Sequence, residues 1–332
     1  MTECLTVQKQ NKEYHFLKVE PAQPSILSQQ GFLFQRKWDG VSGESRIENR
    51  EIEIIGRGVT KGRNSDYTLK FPELVKELKA MNLPKETDFL HEIICMNQKT
   101  GLEDLELVKG RTVRTTLIDL YAQLYPALMI VHDVVSVGGM DVTHLPYFER
   151  LNALREVLGN KAQRIVFIGN STDGKAEWEK VEKYGLEGVV IRDPKLRLGH
   201  GVWKLKRELT EDVFCTGEYT ASTSDTNMNL KYEVNGVRKK GVFANLICYQ
   251  LLDTAPFVNR PIGVCDVGTG FSQEGRKQIQ AMLDLGQVTK ENPLVLEVKA
   301  NGRHESGKLR HPSFKRIRQD KPWNQCIMKG MQ

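Results

Sequence analysis

No two of the six cysteines (Cys4, Cys95, Cys215, Cys248, Cys265 and Cys326) are spaced as C-x-x-C. That excludes a zinc ribbon and a paired redox motif. Scattered single thiols in a chain this long fit a reducing compartment, where they serve as small core residues. No window approaches the ~18 apolar residues of a membrane span. The opening MTECLTVQKQNKEYH has no apolar signal core. A cytoplasmic location without membrane contact is therefore expected. There is no G-K-[ST] for a P-loop, no internal repeat and no low-complexity tract.

What is present is ordinary in bulk. The chain has 332 residues, 39% hydrophobic and 27% charged, with a formal net charge of +6. That length exceeds the size at which single cores stop growing, so two domains are expected. A mildly basic balance permits a polyanionic partner without requiring one.

The first 30 residues are polar, with Pro21 and Pro24. Strands and helices then alternate from Phe32 to about Arg207. Phe71–Met81 has apolar residues at helical spacing, Asp88–Cys95 and Ala127–Val137 read as strands, Thr115–Leu124 and Ala176–Tyr184 as helices, and Gly188–Ile191 as a strand. This is an α+β domain. After about Leu209 the runs become short and β-like: Val213–Thr216, Val242–Leu252, Gly263–Gly268 and Leu294–Lys299, with one helix over Gln273–Leu285. About five short strands and one helix suit a small Greek-key barrel of the OB type. The expected division is 1–209 and 210–332.

Several residue groups carry candidate chemistry. Lys37-Trp38-Asp39-Gly40 follows an apolar run, Gly31–Phe34. A lysine at a strand end acts as a nucleophile only when neutral, which needs a cationic neighbourhood, a metal or burial. K-x-D-G arises by chance in roughly one chain in ten of this length, so the tetrapeptide alone decides nothing. Trp203–Arg207 puts Lys204 and Lys206 on one strand face, where two ammonium groups repel unless an anion compensates; a solvated edge strand is the plainer reading. Glu187 opens the apolar strand Gly188–Ile191, and Glu92 lies within another. Each is either an exposed turn acid or a carboxylate at a pocket rim that holds Mg²⁺. Gly56–Arg63, with Arg57 and Lys61, is either a surface turn or a phosphate cradle. Lys299–Lys321 holds eight lysines and arginines against two acids. Its interleaved Leu309, Pro312, Phe314 and Ile317 make it a structured basic face suited to phosphate. Lys231, Arg238, Lys239 and Lys240 form a similar basic segment, read as a loop.

Taken together and in this order, the pieces resemble the covalent nucleotidyltransferase superfamily, and within it the ATP-dependent DNA ligases. The resemblance runs from about residue 32 to 323. KWDG resembles the nucleotide-accepting motif, Gly56-Arg57-Gly58 the S-R-x-G element, and Glu92 the D-G-E acid. Val131–Val135 resembles the F-D-x-x segment. LEGVVIR at 186–192 resembles E-G-V-V-x-K, and WKLK at 203–206 the K-x-K motif. Val267–Phe271 resembles the V-G-T-G-F turn of ligases, and Arg310–Lys321 an R-[FH]-P-x-F element followed by R-x-D-K. The implied fold is a nucleotidyltransferase domain followed by an OB-fold.

The resemblance implies roles. Lys37 takes AMP from ATP, and Asp39 orients the acceptor end. Lys204 and Lys206 sit on the α-phosphate. Glu187 and Glu92 hold Mg²⁺, with Mn²⁺ as a substitute, or in the case of Glu92 the ribose. Gln35 meets the adenine edge, and His132 stands where an aromatic stacks on adenine. Arg318 and Lys321 reach the β- and γ-phosphates. Arg46, Arg57, Lys61, Lys239, Lys240, Arg310 and Arg316 contact nucleic acid. The implied partner is a nicked duplex, sealed by a monomeric enzyme of the bacterial nucleoid or of a virus or phage in the host cytosol. The short upstream segment and the absence of a four-cysteine zinc module imply ATP rather than NAD as donor. Thr220–Lys240 is a candidate DNA-gripping loop. Four positions depart from the family pattern: Ser42 replaces an arginine, His91 a glycine, His132 an aromatic and Arg192 a lysine. Ser42 leaves RNA-containing ends open as an alternative substrate, with Arg46 as a compensating cation.

Overall fold

The computed structural model describes residues 4–9, 12–49, 51–57, 65–98, 100–159, 162–253, 258–304 and 306–328. The chain splits into two compact units, Met1–Arg207 and Glu208–Gln332.

Two sheets build the first unit. The larger runs in the order Met140–Asp141, Ala127–Val137, Thr87–Cys95, Val41–Glu48, Glu51–Gly56 and Ser65–Asp66, with Ile165–Phe167 added parallel to Ala127–Val137. One face is apolar: Ile54, Phe89, Ile93, Met129, Val131 and Val134 pack beneath Leu74 and Leu78 of the Pro72–Met81 helix and Leu154 of the Tyr147–Leu158 helix. The smaller sheet runs Glu20–Pro21, Val202–Lys206, Gly188–Arg192 and Leu33–Lys37. Phe34, Val189, Ile191 and Leu205 bury its other face against Val181 of the Gly174–Tyr184 helix.

Two glycines are required by close approach. A Cβ on Gly40 would lie 2.3 Å from the Ile93 carbonyl oxygen, so KWDG crosses the Thr87–Cys95 strand only with glycine there. At Gly188 the same addition would lie 2.1 Å from the Leu205 oxygen. Gly188 pairs with Lys37 on one side and Lys206 on the other. It thereby draws both lysine strands against the strand that follows Glu187.

The Ala127–Val137 strand carries a bulge. Leu90 pairs with Asp133 and His91 with Val131, so His132 is the extra residue. The bulge flips the parity of the strand. Val131 and Val134 both face the core, and His132 and Asp133 both leave it.

The second unit is a barrel-like sheet in the order Pro261–Val267, Phe243–Leu252, Leu209–Ala221, Leu294–Ala300 and Ser313–Ile317, with Ile327–Met328 closing onto Phe243–Leu252. The Gln273–Asp284 helix buries Ile279 against it. Cys215, Cys248 and Cys265 lie buried in this core, and Cys95 in that of the first unit; all are free thiols.

Three local expectations need correction. The polar N-terminal stretch holds an antiparallel pair, Cys4–Lys9 with Lys12–Leu17, whose Tyr14 and Phe16 are buried. The helix expected from Thr115 starts at Ile118, because Leu117 sits at φ 56°. The loop expected over Lys231–Lys240 is a hairpin, Lys231–Val234 with Val237–Lys240. Its turn is Asn235-Gly236 with both φ positive, the two-residue geometry that hairpins favour.

Candidate active site

A cavity of about 420 Å³ opens in the first unit, walled by both sheets. Its size falls within the range of small-molecule sites. Gln35, Lys37, Arg57, Glu92, His132, Arg192 and Lys204 line it, with Ser42 and Trp38.

The cationic side is built on register. Lys37, Gly188 and Lys206 form one row across three strands, and Gln35, Val190 and Lys204 the next row but one. The Glu187 carboxylate bridges the lysines: Oε2 accepts from Lys37 Nζ at 2.6 Å, and Oε1 pairs with Lys206 Nζ at 2.8 Å. Glu187 is thus the anion that the Lys204–Lys206 face demanded, although it takes Lys206 and Lys37 rather than Lys204. Burial, reinforced by Lys206 and Lys37, lowers the Lys204 ammonium.

Glu92 supplies the acidic wall. Burial pushes its carboxyl up to about 8; Lys37 opposes the shift, while Glu187 and Asp39 add to it. A carboxyl protonated near neutrality and crowded by two others is a place that a cation would relieve. No cluster of three or more metal-type ligands occurs among the described residues. Mg²⁺ does not need one, since one or two carboxylates and substrate phosphates suffice.

The far end is a hydrogen-bonded chain. Gln35 Nε2 donates to Tyr147 Oη at 2.6 Å and to Asn170 Oδ1 at 2.7 Å. Tyr147 Oη donates to the His132 carbonyl at 2.9 Å. Arg192 Nη2 lies 3.1 Å from His132 Nδ1, and its Nη1 lies 3.0 Å from Asp133 Oδ2. Asp133 also takes Arg150 at 2.8 and 3.0 Å. Burial alone would raise the Asp133 carboxyl, but the two guanidiniums overcome it and hold it below its ordinary value. At the opposite rim Arg36 stacks on Trp38 at 3.7 Å and pairs with Glu103. Glu103 also accepts from the Asp39 backbone N–H at 3.4 Å.

Not every expected residue of the first unit lines the cavity. Arg46 is held by Glu44 at 3.0 Å, by Asp88 at 3.4 Å and over the Tyr14 ring. The cation that lines the cavity with Ser42 is instead Arg57, whose backbone N–H donates to the Ser42 carbonyl at 3.0 Å. Lys61 lies outside the described residues. In the second unit, Arg318 and Lys321 converge on Asp212 at 2.9 and 2.8 Å. Arg316 pairs with Glu297 at 2.6 Å. Arg310 opens the Arg310-His311-Pro312 segment, its N–H bonded to the Gly302 carbonyl. Lys239 is anchored to Asp284 at 2.7 Å, while Lys231, Arg238 and Lys240 are exposed on the hairpin. Tyr147, Asn170 and Glu103 escaped the sequence reading, since each comes from a distant element with no local motif.

Residues 18–207 match the model of the ATP dependent DNA ligase domain, and residues 258–321 that of the ATP dependent DNA ligase C terminal region. The chain belongs to the ATP-dependent DNA ligase family. A DNA ligase of Thermoplasma volcanium is 26% identical over 73% of this chain and 40% of its own length. One from Cenarchaeum symbiosum is 25% identical over 80% of this chain and 44% of its own. The chain thus spans less than half the length of these relatives. Among solved structures, one from a structure–function study of Lig E DNA ligases described as DNA binding with a minimal scaffold superposes with a TM-score of 0.60. Its identity is 14%, over 91% of this chain and 98% of that one. Another, named Pmar-Lig_Pre, gives 0.62 at 15% identity, over 92% and 67%. These likenesses carry the ligase fold: a nucleotidyltransferase unit followed by an OB-like one.

The Glu92 carboxyl gives this ligase-family unit a pH signature. Its folded pKa is raised from 4.5 to about 8. The folded state therefore holds a proton that the unfolded state has lost, and the group's contribution to stability falls as pH rises from about 4.5 to about 8. Glu92→Gln, which keeps the neutral shape, should flatten this decline in urea-unfolding midpoints measured across that window. An unchanged slope would contradict the assignment.

Proposed function

We propose that the chain is an ATP-dependent DNA ligase that seals 3′-OH/5′-phosphate nicks in duplexes. The observation that carries this is the placement of Lys37 Nζ, 2.6 Å from Glu187, on the wall of the cavity that Lys204, Arg57 and Glu92 also line. The Lys37 amine attacks the α-phosphorus of ATP. An N–P bond forms, the bond to the β-phosphate oxygen breaks, and pyrophosphate leaves. A 5′-phosphate oxygen then takes the AMP from the lysine. Finally a 3′-hydroxyl attacks the 5′-phosphorus, forming the phosphodiester and releasing AMP. All three are in-line transfers in which positioning and charge neutralisation dominate.

The residues divide the work by chemistry. Lys204, Lys206 and Arg57 neutralise phosphate. Gln35 offers its carbonyl oxygen to the base, since both its amide hydrogens are engaged. Asp39 orients the acceptor end. Arg318 and Lys321, gathered by Asp212, serve the leaving pyrophosphate. Glu92 and Glu187 fit Mg²⁺, or Mn²⁺ in its place, which when bound neutralises phosphate charge. We assign residues 1–209 as the adenylation domain and 210–332 as the OB-fold domain, acting as a monomer in the cytoplasm.

DNA contact is assigned to Arg57, Arg310, Arg316 and the basic hairpin. On the hairpin Lys231 pairs across the strands with Lys240. Directly opposed like charges are unfavourable, and a phosphate backbone relieves them. Replacing Lys231, Arg238 and Lys240 with alanine should flatten the salt dependence of nicked-duplex binding, by about 0.9 in log–log slope for each phosphate that is no longer neutralised. An unchanged slope would place the DNA elsewhere.

Ser42 supports a second reading, a ligase that accepts RNA ends. Ligation of DNA, RNA and hybrid nicks with ATP, GTP or NAD tests both readings. Joining of DNA nicks with ATP alone supports the first. RNA-on-both-sides nicks sealed as well as DNA would favour the second, and no joining of any nick would reject both.

A further inference from the structure

Arg192 is buried, as are its partner Asp133 and Arg150, the second guanidinium on that carboxylate, yet it also lines the cavity. Its guanidinium makes two directed contacts at once: Nη1 to Asp133 Oδ2 at 3.0 Å and Nη2 to His132 Nδ1 at 3.1 Å. The Tyr147 ring supports it, 4.6 Å from the guanidinium carbon. We propose that Arg192 is a positioning residue for nucleotide recognition, locking His132 in one plane and as the Nε2–H tautomer so that a neutral imidazole forms the wall against which a purine base lies.

The tautomer follows from the donor inventory. A guanidinium only donates, so Nδ1 must accept and the ring proton resides on Nε2. The positive charge beside it and burial both disfavour the imidazolium, and the His132 pKa is pushed down to about 3, with burial the larger cause. The bulge leaves His132 without a partner on the Thr87–Cys95 strand, so the orientation of its ring depends on side-chain contacts. The backbone below is held by Tyr147 through the His132 carbonyl at 2.9 Å. Gln35 in turn donates to Tyr147, so one chain links the two residues that face the base. A lysine at 192 has a single point charge and cannot make both of Arg192's contacts in fixed directions. The arginine at 192 and the histidine at 132 therefore act as a pair.

The proposal rests on the cavity being a nucleotide site, and its test separates the two ideas. Arg192→Lys, His132→Phe and the double variant are each titrated with AMP by calorimetry. ATP dependence of adduct formation is measured alongside, and the His132 ring tautomer is read by ¹⁵N NMR without ligand. In the wild type, His132 should be the Nε2–H tautomer. Arg192→Lys should mix the tautomers and weaken AMP binding about tenfold, the order of one hydrogen bond, with the effect on KM rather than kcat. In the His132→Phe background the same change should alter AMP binding by less than about twofold, because a phenyl ring has no nitrogen to hold. Equal weakening in both backgrounds, or an Nδ1–H tautomer in the wild type, would overturn the pairing. A wild-type protein that binds no AMP would overturn the nucleotide site itself, while the ligand-free tautomer still reports on the pair.

Discussion

Lys37→Ala should abolish covalent labelling by α-³²P-ATP, a loss of more than about a thousandfold, because no neighbouring group replaces the nucleophile. Lys204 and Lys206 are amines too, but they lie on the Val202–Lys206 strand, separated from the Lys37 strand by Gly188–Arg192. Lys206 is fixed to the far oxygen of Glu187. Lys37→Arg should fail equally, since a guanidinium stays protonated and is a poor nucleophile. The fold should survive. The Lys37–Glu187 pair is partly exposed, with side chains 22% and 16% accessible, so its loss should cost no more than about 1 kcal/mol, and Glu187 keeps Lys206. The expected result is a folded protein, with an unchanged melting curve to within a few degrees, that takes no label. A labelled Lys37→Ala protein would move the nucleophile elsewhere.

The second large effect concerns stability. Asp133 is fully buried between Arg150 and Arg192, themselves 1% and 3% accessible. Asp133→Ala leaves two guanidiniums in the interior without their shared anion. Breaking such a buried pair costs about 3–5 kcal/mol. For a unit of this size that corresponds to a drop in melting temperature of roughly 10 °C. Asp133→Asn retains the shape and one acceptor, and should lose less. Arg192 would also be freed from the bridge that aims it at His132, so nucleotide affinity should fall with stability. Differential scanning calorimetry decides the matter, and a change below about 1 kcal/mol would mean that the network relaxes at little cost.

Much of this was legible because short motifs fall where strands must end or turn. KWDG sits at a strand end over a neighbouring carbonyl that excludes any Cβ, and LEGVVIR places Glu187 at the head of a strand between two lysine-bearing strands. Apolar strands such as Ala127–Val137 declare themselves by composition. The hairpin Val41–Gly56 does not, because Glu44, Arg46, Glu48, Glu51 and Glu53 hide its alternation, and Glu44 is buried through pairing with Arg46. The basic hairpin carried a readable Asn235-Gly236 signal that its charge obscured. The base end of the cavity was the least legible part. Its bulge at His132, the Tyr147 and Asn170 contacts and the Glu103 anchor depend on pairings between residues about 15 to 135 positions apart. The replacement of an arginine by Ser42 was visible, but not that Arg57, rather than Arg46, lies beside it.

The most direct test is a single-turnover chase. The protein is labelled with AMP, freed of ATP, and mixed with a duplex carrying one 3′-OH/5′-phosphate DNA nick. The account predicts that label leaves Lys37, passes through an adenylylated 5′-phosphate and appears as free AMP in step with one sealed nick per adduct. An adduct that persists, or that releases AMP without joining the strand, would contradict it.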